Sequence, residues 1–314
     1  DWLGRSLDCT LSARQVGSVA AQLGKEQVLT ETYGCCGWDV SPHEIKAIAE
    51  AQYVYGVNLM CQHLLPYTEH GQRKRDYPAH YSEANPWVRK NFKEFNDYFT
   101  RLGYLLANSR EEVHIAMLHP MRSAYFDYKD LDVKPGNGLE KLEKAFHEQL
   151  DMLADDQIPY HFLDETLLEE DGFVKDNRIG CGLQKYEVLI IPACYTMGKH
   201  TEQLIRQYVQ NGGKLLLLSD KPEYLEGEPF DYSYLTSNIT YEELKAQLSE
   251  LKAKRYGMEN AWAANRASIG DGSAYAQLQN QRYSERLSRD SERREKAVLA
   301  ADERKQKAKT LAEL

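Results

Sequence analysis

Glu31 is the residue whose surroundings point most directly to chemistry. It follows Val28-Leu29-Thr30 and leads into Thr32-Tyr33-Gly34-Cys35-Cys36-Gly37-Trp38-Asp39, a Gly-rich aromatic loop. A carboxylate at the end of a rigid strand, beside flat aromatic rings, suits cleavage of a glycosidic bond. The acid, base or nucleophile must be held still, and the apolar face of a sugar ring needs a flat surface. In the plainer alternative, Glu31 only caps the loop after a strand. Tyr33 and Trp38 are candidates to stack on a sugar, or to pack the loop. Asp39 either binds a hydroxyl or orders the loop ahead of Ser41. Gln62 and His63 end the next apolar run, Val57 to Cys61. Polar residues at the carboxyl end of a barrel strand read as binding groups, although His63 also fits a satisfied structural histidine. Tyr67, Arg75 and Asp76 belong to the long polar stretch from Thr68 to Pro86 and its approach. They are candidate substrate contacts, with a weak surface ion pair as the alternative for Arg75 and Asp76.

The elements that would position these groups follow from periodicity. Residues 12–23 read as a helix capped by Ser12 and ended by Gly24, followed by a strand over 27–30. Ser41-Pro42-His43-Glu44 is a capping box with proline at the first helical position. That helix runs through Ile45, Ile48, Ala49, Gln52 and Tyr53 to Gly56, and a strand spans 57–63. From Trp87 to Leu106, Phe92, Phe95, Tyr98, Phe99 and Leu102 recur at helical spacing, a stripe read as core. The pattern then restarts: strands over 113–118, 158–163, 187–192 and 214–219, helices over 139–153 and 201–210, the last ending at Gly212-Gly213. Continuous apolar strands alternating with helices predict a parallel sheet covered on both faces.

In this region His119-Pro120-Met121-Arg122-Ser123 follows the first strand, where doubly wound sheets bind ligands. It lacks GxGxxG, and Gly136-Asn137-Gly138 is too distant to replace it. Cys194 follows a buried strand as a nucleophile would, but without a Gly-rich elbow or a following His it reads as inert.

The chain has 314 residues, with a length prior of about two domains. Its 42% hydrophobic and 28% charged residues allow a core. The formal net charge of −9 argues against nucleic acid as a partner. No apolar run reaches the ~20 residues of a membrane span. The six cysteines (Cys9, Cys35, Cys36, Cys61, Cys181, Cys194) show no zinc-ligand spacing, so no metal or cofactor is expected. They read as mostly reduced thiols in a cytoplasmic setting. The chain opens on Asp1 rather than Met, so its true N-terminus is expected to lie upstream. From Gln281 to Lys307 the charges are dense and mixed in sign, predicting a solvated helix or a disordered tail.

Val28–Ser41, Val57–Tyr67 and Gly71–His80 together resemble large bacterial glycoside hydrolases near the α-L-rhamnosidases of family 106. The stretch from Val113 to about Leu235 resembles the second domain of such enzymes, and is similar to the amidotransferase-like trimerisation domain of family 42 β-galactosidases. The resemblance covers roughly 12–240. It implies an α/β fold: the last βα units of a TIM-type barrel over 1–107, a doubly wound flavodoxin-like domain over 108–255, and a charged tail over 256–314. Glu31 would then end barrel strand seven and His63 strand eight. A barrel takes about 200–250 residues, so strands one to six, and the carboxylate partnering Glu31, are not in this chain. A fragment of an enzyme is therefore expected. The implied partners are a carbohydrate and, through the flavodoxin-like domain, a homo-oligomer. A non-catalytic oligomerisation or carbohydrate-binding module is the alternative, and a small-molecule-binding regulator would need a ligand at the His119–Ser123 loop.

Overall fold

The computed structural model describes residues 10–63, 65, 67, 68, 70, 86–128, 138–251, 253 and 254. The chain divides into two compact units, residues 1–246 and 247–314. In the second, the described residues 247–251 and 253–254 are helical.

The first unit opens with α1 (Thr10–Leu23), β1 (Leu29–Thr32), α2 (Pro42–Val54), β2 (Leu59–Gln62) and α3 (Pro86–Ala107). The strands β1 and β2 pair in parallel, Glu31 opposite Cys61 and Thr32 opposite Gln62. The Ser41 capping box forms as the sequence predicts: Ser41 Oγ accepts from Glu44 N–H, and Glu44 accepts from Ser41 N–H. Gly24 and Gly56 end their helices at φ +68° and +105°. Thr10 rather than Ser12 opens α1, so Ser12 lies inside the helix. The first strand also begins two residues later than its apolar run suggests, which puts Glu31 inside the strand. The α3 stripe is core: Phe99 packs edge-on to Tyr53 and Tyr98, with Phe95 beside it.

The rest of this unit is built on four parallel strands, β3 (Ile115–Leu118), β4 (His161–Leu163), β8 (Val188–Ile191) and β10 (Lys214–Leu217), in the order β4-β3-β8-β10. The chain places β4 on one side of β3 and returns on the other with β8, so the strand order turns between β3 and β8. Every residue of β3 and β8 is buried, the pattern of a parallel sheet covered on both faces. Helices α4 (Met121–Asp127) and α5 (Gly138–Asp155) link β3 to β4. Between β4 and β8 run α6 (Glu165–Asp171) and an antiparallel meander, β5 (Gly172–Lys175), β6 (Arg178–Cys181) and β7 (Gln184–Tyr186). Short β9 (Thr196–Met197), α7 (Lys199–Gln210), β11 (Tyr224–Leu225) and β12 (Glu228–Pro229) complete the element order. The Tyr208 ring of α7 reaches under the sheet, its hydroxyl donating to the carbonyls of Glu187 and Lys214. No helix among the described residues is long and apolar enough to cross a membrane.

Candidate functional site

The sheet of β1 and β2 has two unlike faces, because side chains alternate along a strand. Thr30 and Thr32 point toward α2, where both hydroxyls donate to Gln52 Oε1 at 2.6 and 3.1 Å. All three side chains are buried, so this cluster fixes β1 on its helix. The opposite face carries Leu29 and Glu31 from β1, and Leu59 and Cys61 from β2, all exposed. His63 continues this face one step beyond β2, its N–H bonded to Thr32 C=O. Its Nε2 lies 3.9 Å from Glu31 Oε1; the Glu31 side chain is 47% exposed and that of His63 15%. A carboxylate and an imidazole thus meet at the carboxyl ends of two parallel strands, on a face open to solvent. At 3.9 Å the two are not hydrogen-bonded, but His63 lies near enough to steer the carboxylate toward a bound hydroxyl or an anomeric carbon.

The loop after β1 is held in an uncommon backbone conformation. Tyr33, Cys35 and Gly37 have φ of +81°, +61° and +84°. Left-handed conformations at non-glycine residues cost on the order of 1–3 kcal/mol each, and persist where the surroundings over-determine them. Here the determinants are Tyr33 and Cys36, both fully buried, with Tyr33 Oη bonded to Met60 Sδ at 3.4 Å. The strain itself offers no sequence signal beyond the glycines flanking the two cysteines.

These facts sort the candidates drawn from the sequence. Glu31 and His63 are brought together. Trp38 and Asp39 lie exposed on the pinned loop, and Tyr67 is fully exposed. Tyr33 takes the packing role instead, because a ring with no exposed surface has no face to give a sugar. Gln62 points to the other side of the sheet, donating to Asn96 Oδ1 of α3 at 3.0 Å. One residue of strand parity separates it from His63. Arg75 and Asp76 lie outside the described residues.

In the second sheet, side chains of α4 and α5 bond to the backbone that follows β8, beside the point where the strand order turns. Ser123 Oγ accepts from Tyr195 N–H and Thr196 N–H and donates to Thr196 C=O. Gln149 Oε1 accepts from Ala193 N–H. His119 is wedged edge-on against Phe146 and Phe162, and burial lowers its pKa. The Cys194 thiol is pushed up to about 12, first by burial and then by nearby Glu165. A thiol in that state is a poor nucleophile. The five described cysteines are free, and no group of three or more metal-ligating side chains gathers among the described residues.

No protein-family model and no curated protein matches the sequence. Among solved structures, the chain is similar to the rhamnosidase from Novosphingobium sp. PP1Y, with 17% identity over 70% of this chain and 20% of that one, at a TM-score of 0.48. It is similar to the GH42 β-galactosidase Gan42B from G. stearothermophilus, with 14% identity over 74% of this chain and 33% of that one, at a TM-score of 0.48. A third is the β-galactosidase from Rahnella sp. R3, with 15% identity over 72% of this chain and 32% of that one, at a TM-score of 0.49. The chain spans a fifth to a third of the length of these proteins.

Proposed function

We propose that this chain carries part of a glycoside-hydrolase site, with Glu31 as one of its two catalytic carboxyl groups. The observation that carries the reading is the Glu31–His63 pair on the open face at the carboxyl ends of β1 and β2. Two carboxyl groups flank the bond in most such enzymes, as nucleophile and acid/base at ~5–5.5 Å or as base and acid at ~6.5–9.5 Å. Glu31 fills one of these roles. His63 orients it, and Trp38 and Asp39 contact the sugar ring and a hydroxyl. Tyr67, Arg75 and Asp76 are assigned to further substrate contacts. The resemblance of residues 28–41, 57–67 and 71–80 makes an α-L-rhamnoside the first substrate to try. The chain is expected to bind a sugar on this face.

The test is a titration of the isotopically labelled chain with L-rhamnose and D-galactose, followed by backbone amide shifts. Shifts confined to residues 31–40 and 62–63 are expected. Shifts at neither sugar, or clustered at 119–123, would overturn the assignment.

A second reading, a non-catalytic oligomerisation module of flavodoxin-like architecture, is favoured by one observation. Ser123 and Gln149 bond to the backbone just beyond β8, where such a sheet would otherwise take a ligand, which supports a structural role for it. The two readings coexist if the larger sheet assembles the protein while the smaller one holds the sugar.

A further inference from the structure

Helix α1 wears its polar stripe inward. Arg14, Ser18 and Gln22 share one face at i, i+4, i+8 spacing and are all buried, while Val16, Val19 and Leu23 on other faces are 36–40% exposed. A surface helix ordinarily does the reverse. What the inward face meets explains the inversion.

The strand β4 lies at the edge of its sheet. Its Leu163 C=O bonds inward to His119 N–H, so by the alternation of a parallel ladder Phe162 turns its N–H and C=O outward. Both are taken by α1. Ser18 Oγ accepts from Phe162 N–H at 2.9 Å, and Gln22 Nε2 donates to Phe162 C=O at 2.7 Å. These are the two bonds that a neighbouring strand would make at that residue.

A relay that runs from buried Gln22 to part-exposed Glu111 holds the helix in this register. Gln22 Nε2 also donates to Tyr186 Oη at 3.0 Å. Tyr186 Oη lies 3.0 Å from His161 Nδ1, and His161 Nε2 lies 3.3 Å from Glu111 Oε2. Arg14 Nη1 donates to both Glu111 oxygens at 3.0 Å. The amide nitrogen at one end only donates and the carboxylate at the other only accepts. Between these ends the Tyr186 hydroxyl and both His161 ring nitrogens carry the relay. At the end of α1, Leu183 N–H donates to Gln22 C=O, so the turn between β6 and β7 ties down the helix terminus.

We propose that α1 is an edge-blocking strap: its side chains stand in for a strand beside β4 and keep that edge from pairing with a second copy of this chain. An open strand edge is a template for intermolecular pairing, and here the template is covered by hydrogen-bonding side chains rather than by an apolar surface. The proposal is independent of the sugar site.

Two measurements on the full chain test it. In the wild type, the Phe162 amide should exchange with solvent as slowly as those of Met117 and Ile190 in the sheet interior. In the S18A/Q22A double variant, Phe162 exchange should accelerate about tenfold or more, and sedimentation should show a rise to at least twice the wild-type mass at matched concentration. A synthetic peptide of residues 10–25 should reverse that rise. A folded variant that keeps the wild-type mass overturns the proposal. If the variant does not fold, the wild-type exchange decides alone, and a Phe162 amide as fast as those of exposed loops overturns it.

Discussion

The two parallel sheets of the first unit are made of similar strands in opposite settings. In the larger sheet, four consecutive residues are buried in both β3 and β8. In the smaller, burial alternates along β1, exposed at Leu29 and Glu31 and buried at Thr30 and Thr32. A strand buried on both faces can meet a ligand only beyond its carboxyl end, and there Ser123 and Gln149 are bonded to the backbone that follows β8. A strand with one open face presents every second side chain. Among the described residues the smaller sheet therefore offers an open face and the larger one a core covered on both sides.

The sharpest way to break this comparison is to truncate a leucine in each sheet. Leu189 is fully buried in β8 and Leu29 is 56% exposed on β1. Leu189→Ala should cost about 2–5 kcal/mol in urea unfolding, against less than about 0.5 kcal/mol for Leu29→Ala. Equal costs would mean that the open face is covered in solution. Next in size is Gln52→Ala, which strips the acceptor from the two buried threonine hydroxyls under Glu31. A loss of ~1–3 kcal/mol is expected, measured the same way.

Two carboxyl groups, Glu165 buried and Glu111 about a third exposed, should respond to pH with opposite signs. Burial holds the Glu165 carboxyl above its ordinary 4.5, despite the Gly198 N–H it accepts. As pH rises from 4.5 through that raised value, the folded chain keeps a proton the unfolded chain has released, so this group's contribution falls. Burial also pushes Glu111 up, but the His161 hydrogen bond and the Arg14 charge outweigh it and hold Glu111 below 4.5. Its stabilisation is full above 4.5 and is lost as pH falls through the lowered value. Urea midpoints across pH should show Glu165→Gln flattening the first slope and Glu111→Gln the second. The smallest stability effect belongs to Trp38→Ala, within about 0.5 kcal/mol for an exposed loop residue, with its consequence appearing in sugar binding instead.

Much of the larger sheet was legible because continuous apolar runs such as 187–192 have few alternatives to a doubly covered strand. The Ser41 capping box was legible for the same kind of reason, a fixed spacing with a local mechanism. The meander of β5 to β7 was not, since its strands are short and interrupted by Gly172, Gly180 and Gly182. Its one cue is Asp176-Asn177, a two-residue turn with both φ positive, at +52° and +57°. In the smaller sheet, apolar composition placed β1 two residues early, because Leu29 is an exposed residue on an open face. Gln62 was grouped with His63 by adjacency, where strand parity sends the two to opposite sides. The inward polar stripe of α1 had no sequence signature, since only the edge of β4 gives those side chains a reason to be buried.

The central claim is most directly tested by calorimetry of L-rhamnose binding to the wild type, Glu31→Gln and Trp38→Ala. The account predicts measurable binding by the wild type, weakened about two- to tenfold by Trp38→Ala, as loss of ~0.5–1.5 kcal/mol of ring stacking implies. Glu31→Gln should also weaken it while leaving the unfolding midpoint unchanged. Binding that neither substitution alters, or none by a folded wild-type chain, would contradict a sugar site on the open face of β1 and β2.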